Sequence, residues 1–268
     1  MTASFSHIKV LTAKDMHQRF QRDENLLLAA LPEAERARLA PFLHATDLPP
    51  GSPVTVPGQP IEDIYFPLDC VISTVQELSD GSTIETGLTG IEGLAGIQVW
   101  LRQHTTPAST FVQVPGRACR MSTEDFIREV RDRVSPLNDL LANYVHAFLV
   151  LTSLTAACNR LHSVDERLCR WLRMTYNRSQ RTDFPLRHEF LAQMLGVHRP
   201  TVSTAASMLQ KAGLINYRYG KLAILDPDGL AEGACECYHV MESQFDGIFR
   251  VEPIEHEQSG NATGWKIP

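Results

Sequence analysis

The chain has 268 residues, 43% of them apolar and 21% charged, and a formal net charge of -6. That length holds one large domain or two modest ones, and no stretch approaches the roughly 18 to 20 unbroken apolar residues of a membrane span. The acidic mean argues against a polyanionic partner until it is counted by segment: residues 1–165 are net -6, residues 166–225 carry 10 basic against 3 acidic side chains, and residues 226–268 are net -7. A basic island between two acidic flanks is the first pointer to function. The N-terminal MTASFSHIKVLTAKDMHQRF lacks the compact apolar core and cleavage site of a signal peptide, so a cytoplasmic protein with no membrane partner is expected. Six cysteines, at 70, 119, 158, 169, 235 and 237, are scattered without a CxxC pair; reduced thiols are expected rather than a disulfide framework or a zinc ribbon.

Residues 1–22 read as a flexible lead-in. NLLLAALPEAERARLAPFL (25–43) predicts two short amphipathic helices broken near Pro32, with Leu39, Phe42 and Leu43 on the apolar face. From Thr46 to Met121, short runs rich in β-branched and aromatic residues are separated by Pro and Gly, the pattern of a small antiparallel roll or sandwich. Asp80-Gly81 falls between two of these runs, where a hairpin needs left-handed backbone. STEDFIREV then starts a helix with a hydroxyl cap and acidic residues in its first turn.

A longer helix is expected from Ser135-Pro136, with the hydroxyl as cap and Pro at the first helical position. Leu137, Leu141, Tyr144, Phe148, Leu151, Thr155 and Cys158 recur at alternating spacings of 4 and 3. Such a heptad seam predicts a homodimer interface, leaving Leu140, Val145, Leu149 and Leu154 to cover the β-domain. Cys158 on that seam would meet its own copy across the symmetry axis, although burial as a small apolar residue also accounts for it.

The basic island opens with DERLCRWLRMTYNR, a helix with Leu168, Trp171, Leu172 and Thr175 inward and Arg167, Arg170, Arg173 and Arg178 along the rest. HEFLAQMLGVHRPTVSTAASML follows. A helix-turn-helix needs a small residue where its helices cross, a turn glycine able to take positive φ, and a branched apolar anchor; Ala192, Gly196 and Val202 supply them. Gly213, two β runs and the Tyr219-Gly220-Lys221 tip complete a winged helix-turn-helix. On a helix over 199–211, Arg199, Pro200, Ser203, Thr204 and Ser207 face outward early, small enough for a major groove. Arg199 is the candidate base reader, since a guanidinium bridges guanine O6 and N7. Thr201, His188, Arg218 and Lys221 are candidates for phosphate contacts.

The order of parts and the residues LAQMLGVHRPTVSTAASMLQKAGL resemble the Crp/Fnr family of bacterial transcription regulators. The resemblance covers about residues 25–230. It implies an α+β fold with a cyclic-nucleotide-binding-like jelly roll, a long dimerisation helix and a C-terminal winged helix-turn-helix, acting as a homodimer on a palindromic site of double-stranded DNA, with RNA polymerase as a further partner. The expected divisions are 23–133 for the roll, 134–162 for the long helix, 163–232 for the DNA-binding domain and 233–268 for a terminal helix and acidic tail. Arg199 matches the family's base-reading Arg, whereas Pro200 and Thr204 stand where Glu and a second Arg are usual, which departs from the usual half-site.

The sensory half departs further. Gly96 is kept on the family's phosphate-binding turn, but Ile97 stands where Glu takes the ribose hydroxyl, and Ala108 replaces the phosphate-binding Arg, leaving Ser109. An apolar residue accepts no hydrogen bond and the phosphate has no charge partner, so a cyclic nucleotide is not expected in the usual manner; no cofactor is assigned and the effector is unidentified. Haem on His104 or Cys70 has no spacing signature. Cys235-Glu236-Cys237 with His239 is expected to be structural rather than a metal or redox site, because residues two apart on a helix face different directions. A cupin-like metalloenzyme is disfavoured, since His104 is the only His between 46 and 121; no enzyme is expected. An adaptor without DNA binding is opposed by Arg199, Thr201 and the wing.

Overall fold

The computed structural model describes residues 24–249; the expected lead-in 1–22 and the tail from Arg250 lie outside the described residues. The chain begins with helices α1 (Leu26–Ala29) and α2 (Glu33–Leu39). Asn25 caps α1 by accepting from the Leu27 and Leu28 N–H groups, and its amide donates to Pro67 O at 3.1 Å and Gly93 O at 2.8 Å. One buried side chain therefore ties the first helix to the roll.

The roll consists of two facing antiparallel sheets. Strands β2 (Pro53–Thr55), β4 (Val71–Glu77), β5 (Thr83–Thr89) and β6 (Ser109–Val114) lie in the order β2-β6-β4-β5, while β1 (His44–Leu48), β3 (Asp63–Pro67) and β7 (Gly116–Ser122) lie in the order β1-β7-β3. The β4–β5 hairpin turns where expected, with Gly81 at φ +82° and its N–H on Leu78 O. Ser122 then caps α3 (Thr123–Phe126), which relaxes into a π-helical turn over Ile127–Arg131.

The long helix α4 runs Pro136–Leu161, capped by Ser135, whose hydroxyl accepts from the Leu137 N–H. The seam assigned to a dimer turns out to face this chain's own core. Leu137, Leu141, Tyr144, Leu151, Thr155 and Cys158 are buried within one chain and Phe148 is half-buried against Gly87. The physical reason is the hydrophobic effect: fully burying each large apolar side chain is worth about 1.5–3 kcal/mol, and the roll and the C-terminal helix supply a surface on which to do it. Leu149, expected beneath the roll, is 60% exposed instead. Among the described residues α4 is the one helix long and apolar enough to cross a bilayer; its large apolar row packs inside the protein and its outer row carries His146 and Arg160.

Helix α5 (Val164–Ser179) starts with a full capping box between Ser163 and Glu166. The third strand of the wing sheet, β8 (Asp183–Pro185), was not expected from the sequence; it pairs with β10 (Lys221–Ile224), which also pairs with β9 (Ile215–Arg218). Between them lie α6 (His188–Leu195) and α7 (Arg199–Lys211), and the chain closes with α8 (Pro227–Glu232) and α9 (Cys237–Gly247).

The C-terminal half docks on the roll. Phe190 meets Phe111 edge to face at 5.9 Å, and Trp171 Nε1 donates to Glu85 Oε1 at 2.9 Å. Glu85 is buried at this junction, and burial pushes its carboxyl up to about 8 against the opposing bonds from Ser73 and Trp171. Ser73 has one proton but faces both Glu85 Oε2 and Gln113 Oε1; a protonated Glu85 donating to Ser73 Oγ satisfies both contacts. The folded state thus keeps a proton that the unfolded chain releases above the ordinary carboxylate range. Its stabilisation is full below about pH 4.5 and lost as pH rises through about 8. Urea midpoints measured between those limits are expected to fall with pH in the native protein, and Glu85→Gln, whose amide donates in the same way, is expected to flatten that fall.

Candidate nucleic-acid interface

The turn between α6 and α7 is fixed by Gly196, at φ +60°, whose missing side chain also lets the Ile84 side chain of the roll approach. Ala192 and Val202 are buried at the helix crossing. Helix α7 presents Arg199, Pro200, Thr201, Thr204 and Ser207 to solvent, with Ser203 half-buried. Arg199 Nε is held by Glu189 Oε1 at 2.5 Å with both side chains exposed, a weak tether that an incoming base edge can replace. Thr204 Oγ1 donates to Pro200 O and Ser203 Oγ to Arg199 O, each at 3.1 Å.

His188, assigned to phosphate, occupies a different role. Its ring stacks on Tyr217 at 4.3 Å, Nδ1 meets Ser203 Oγ at 2.9 Å, and Nε2 is buried without a partner. Burial, together with Arg199, lowers its proton affinity. The imidazole is therefore a neutral bracket between wing and α7, and it engages the Ser203 hydroxyl as well.

The wing tip turns through two left-handed residues, Tyr219 at φ +51° and Gly220 at φ +73°. Tyr219 is 98% exposed, flanked by exposed Arg218 and Lys221. Arg187, exposed and beside Gly220, joins this cationic edge. Sequence reasoning missed Arg187 because it precedes the helix; its one signal was membership of the basic island. The island itself needs correction, since Arg167, Arg170 and Arg178, expected along the exposed side of α5, are buried. Arg178 pairs with Glu92 and Glu242, so part of the positive charge holds domains together, while Arg187, Arg199, Lys211, Arg218 and Lys221 are exposed.

On the sensory side, Gly96 takes φ +94°, Ile97 is buried in the short 3-10 turn Ile97–Val99 (next to Gly96), and Ala108 is buried with Ser109 half-buried. Tyr144 of α4 packs its ring where a side chain on Gly93 would stand, and its hydroxyl donates to Leu94 O at 3.2 Å. The haem candidates do not converge chemically: Cys70 is packed among Leu48, Ile72 and Val112 with burial raising its thiol to about 12, whereas His104 is exposed.

The C-terminal cysteines also differ from expectation. Cys235 precedes α9 and Cys237 is its first residue, so the rule for two residues on one helix does not apply. Their thiols converge with Cys158 and His162, the four ligand atoms lying within 4.8 Å of one another. Cys158 therefore meets Cys235 of its own chain, not a second copy of itself. His239 is exposed and outside the group.

Residues 166–232 match the Crp-like helix-turn-helix domain family. FixK2 from Bradyrhizobium japonicum superposes with a TM-score of 0.59 at 13% identity, over 72% of this chain and 98% of that one. The c-di-GMP-responsive global regulator CLP of Xanthomonas campestris gives 0.56 at 17%, over 72% and 99%, and a Crp/Fnr-family transcriptional regulator from Thermus thermophilus gives 0.53 at 17%, over 71% and 98%. No curated protein sequence matches the chain. Roll, long helix and wing together make a fold in which a two-sheet β-roll is joined by a long helix to a winged helix-turn-helix domain. The fold is that of a Crp/Fnr-type transcription regulator, with a Crp-like reading domain at residues 166–232.

Proposed function

We propose that the chain is a sequence-specific transcription regulator that binds double-stranded DNA as a homodimer in the cytoplasm, has no catalytic role, and takes no cyclic nucleotide in the family's usual manner. The observation that carries this reading is the exposed edge of α7, with Arg199, Pro200, Thr201, Thr204 and Ser207 beside the wing cations Arg187, Arg218 and Lys221. Small side chains admit a major-groove wall, Arg199 reads a base edge, and the wing holds phosphates.

Pairing belongs to the face of α4 left open by the core. Ala142, His146, Leu149, Ser153, Ala156 and Arg160 form a second row at spacings of 4 and 3, and all six are exposed. Its small residues suit close approach of two helices. A symmetric pair of reading helices implies a palindromic site with half-sites about one helical turn apart, and RNA polymerase is the further partner of a regulator bound there. The cyclic-nucleotide reading is opposed by Ile97 and Ala108, which offer neither acceptor nor charge, and by the Tyr144 ring packed against Gly93.

A gel-shift titration of the full chain with excess non-specific competitor tests the reading. Arg199→Ala is expected to lose about 1–3 kcal/mol of discrimination at one base position. Lys221→Ala is expected to weaken binding to every sequence and to reduce the salt slope by about 1. Equal affinity for all sequences in the native protein would refute it.

A further inference from the structure

We propose that Cys158, His162, Cys235 and Cys237 form a tetrahedral site for a single divalent metal ion of the zinc type, pinning the end of α4 to the start of α9. This site stands apart from the DNA interface, and its test requires no DNA.

The geometry is already that of a closed ligand set. Cys158 lies in the last turn of α4 and His162 caps that turn four residues on, its N–H closing on Cys158 O at 3.1 Å. Cys158 Sγ lies 3.4 Å from Cys235 Sγ, and Cys237 Sγ lies 3.7 Å from His162 Nδ1. A tetrahedron of metal–sulfur bonds of about 2.3 Å has edges of about 3.8 Å, so four donors all within 4.8 Å are close to bound spacing. An iron–sulfur cluster, with several iron atoms ligated by separate cysteines, requires a wider set. Three thiolates and one imidazole are the donor set of a structural zinc site rather than a catalytic one.

Two further observations point to the ion. The other ring nitrogen, His162 Nε2, lies 3.2 Å from the Glu236 carboxylate, the arrangement that orients a metal-bound imidazole and fixes its tautomer. Beside the thiols stand two guanidiniums without a matching charge. Arg167 and Arg170 are each 4% exposed, both leave Nε unpartnered, and both act electrostatically on Cys158. Arg170 Nη1 touches sulfur of Met174 at 3.5 Å and of Met241 at 3.7 Å, and Arg167 Nη2 donates to the neutral acceptors Asn159 Oδ1, at 2.8 Å, and Leu195 O. Glu85, which lines the same small cavity as Arg170, is held protonated by its burial. A buried cation without a counter-charge is costly. Three thiolates outweigh a divalent ion by one negative charge, which offsets one of the two guanidinium charges.

The position gives the site a consequence. His162 and Ser163 are the link between the long helix and the reading domain, so an ion held there fixes the angle between them.

The test is metal content of the full chain, expressed in zinc-supplemented medium, desalted and analysed by plasma mass spectrometry. About one zinc per chain is expected. Cobalt(II) loaded in its place is expected to show the visible bands of a tetrahedral ion with strong thiolate charge transfer, a readout on the native sequence that does not depend on any variant folding. Cys237→Ser and His162→Ala are expected to lower zinc affinity at least tenfold, Glu236→Gln by about 10–100-fold, and Cys119→Ser, outside the group, to leave it unchanged. The proposal is overturned by a metal-free chain with a Cys158–Cys235 disulfide on peptide mapping, by iron–sulfur absorption, or by a folded Cys237→Ser, His162→Ala double variant that keeps its zinc.

Discussion

Replacing Arg178 by Ala is expected to destabilise the folded chain by about 3–5 kcal/mol, the range for breaking a buried ion pair by removing one partner. Arg178 is 2% exposed. Its Nε contacts Glu92 Oε1 at 3.1 Å and its Nη1 contacts Glu242 Oε1 at 3.0 Å, while the guanidinium lies 4.8 Å over the Phe245 ring. Glu92 follows β5, Arg178 is on α5 and Glu242 on α9, so one side chain joins roll, reading domain and terminal helix. Deleting it leaves two carboxylates near each other, with Glu92 already pushed up by burial. Arg178→Lys is not expected to restore the loss, because an ammonium cannot bridge two carboxylates while lying flat on Phe245. Urea unfolding at neutral pH measures the effect. A midpoint displacement equivalent to less than about 1 kcal/mol would place Arg178 among weak surface pairs instead.

Leu149→Glu is expected to split the homodimer without unfolding the chain. Leu149 is 60% exposed and sits midway along the outer row of α4, so a carboxylate there is solvated in the monomer and desolvated in the pair. Sedimentation is expected to give twice 30.0 kDa for the native protein and 30.0 kDa for the variant, with association at least about a hundredfold weaker and an unchanged urea midpoint. Leu151→Glu makes the contrast: that side chain is 1% exposed, and a buried unpaired charge is expected to unfold the chain. A Leu149→Glu protein that stays dimeric would assign pairing to another face.

Much of the architecture was legible because local chemistry and tertiary structure agree. Asp80-Gly81 turns a hairpin, Ser135-Pro136 starts the long helix, and Gly196 turns between the reading helices. The failures share a cause, which is that periodicity gives faces but not what covers them. Helix α4 has two rows at the same 4 and 3 spacing; the row with large apolar side chains goes under the roll, and the small-residue row remains outside. Arg167, Arg170 and Arg178 read as solvated cations until the structure shows partners or burial that no local pattern encodes. Cys235 and Cys237 were assigned to a continuous helix, and the break before α9 turns their thiols together. Strand β8 has three residues, one of them Pro185, too short for an alternation to register.

Sequencing the DNA retained by the full chain from a randomised duplex pool tests the central claim most directly. Enrichment of an inverted repeat with half-site centres about 10–11 base pairs apart, degraded at one base of each half-site by Arg199→Ala, is the predicted result. A retained pool indistinguishable from the input would contradict it.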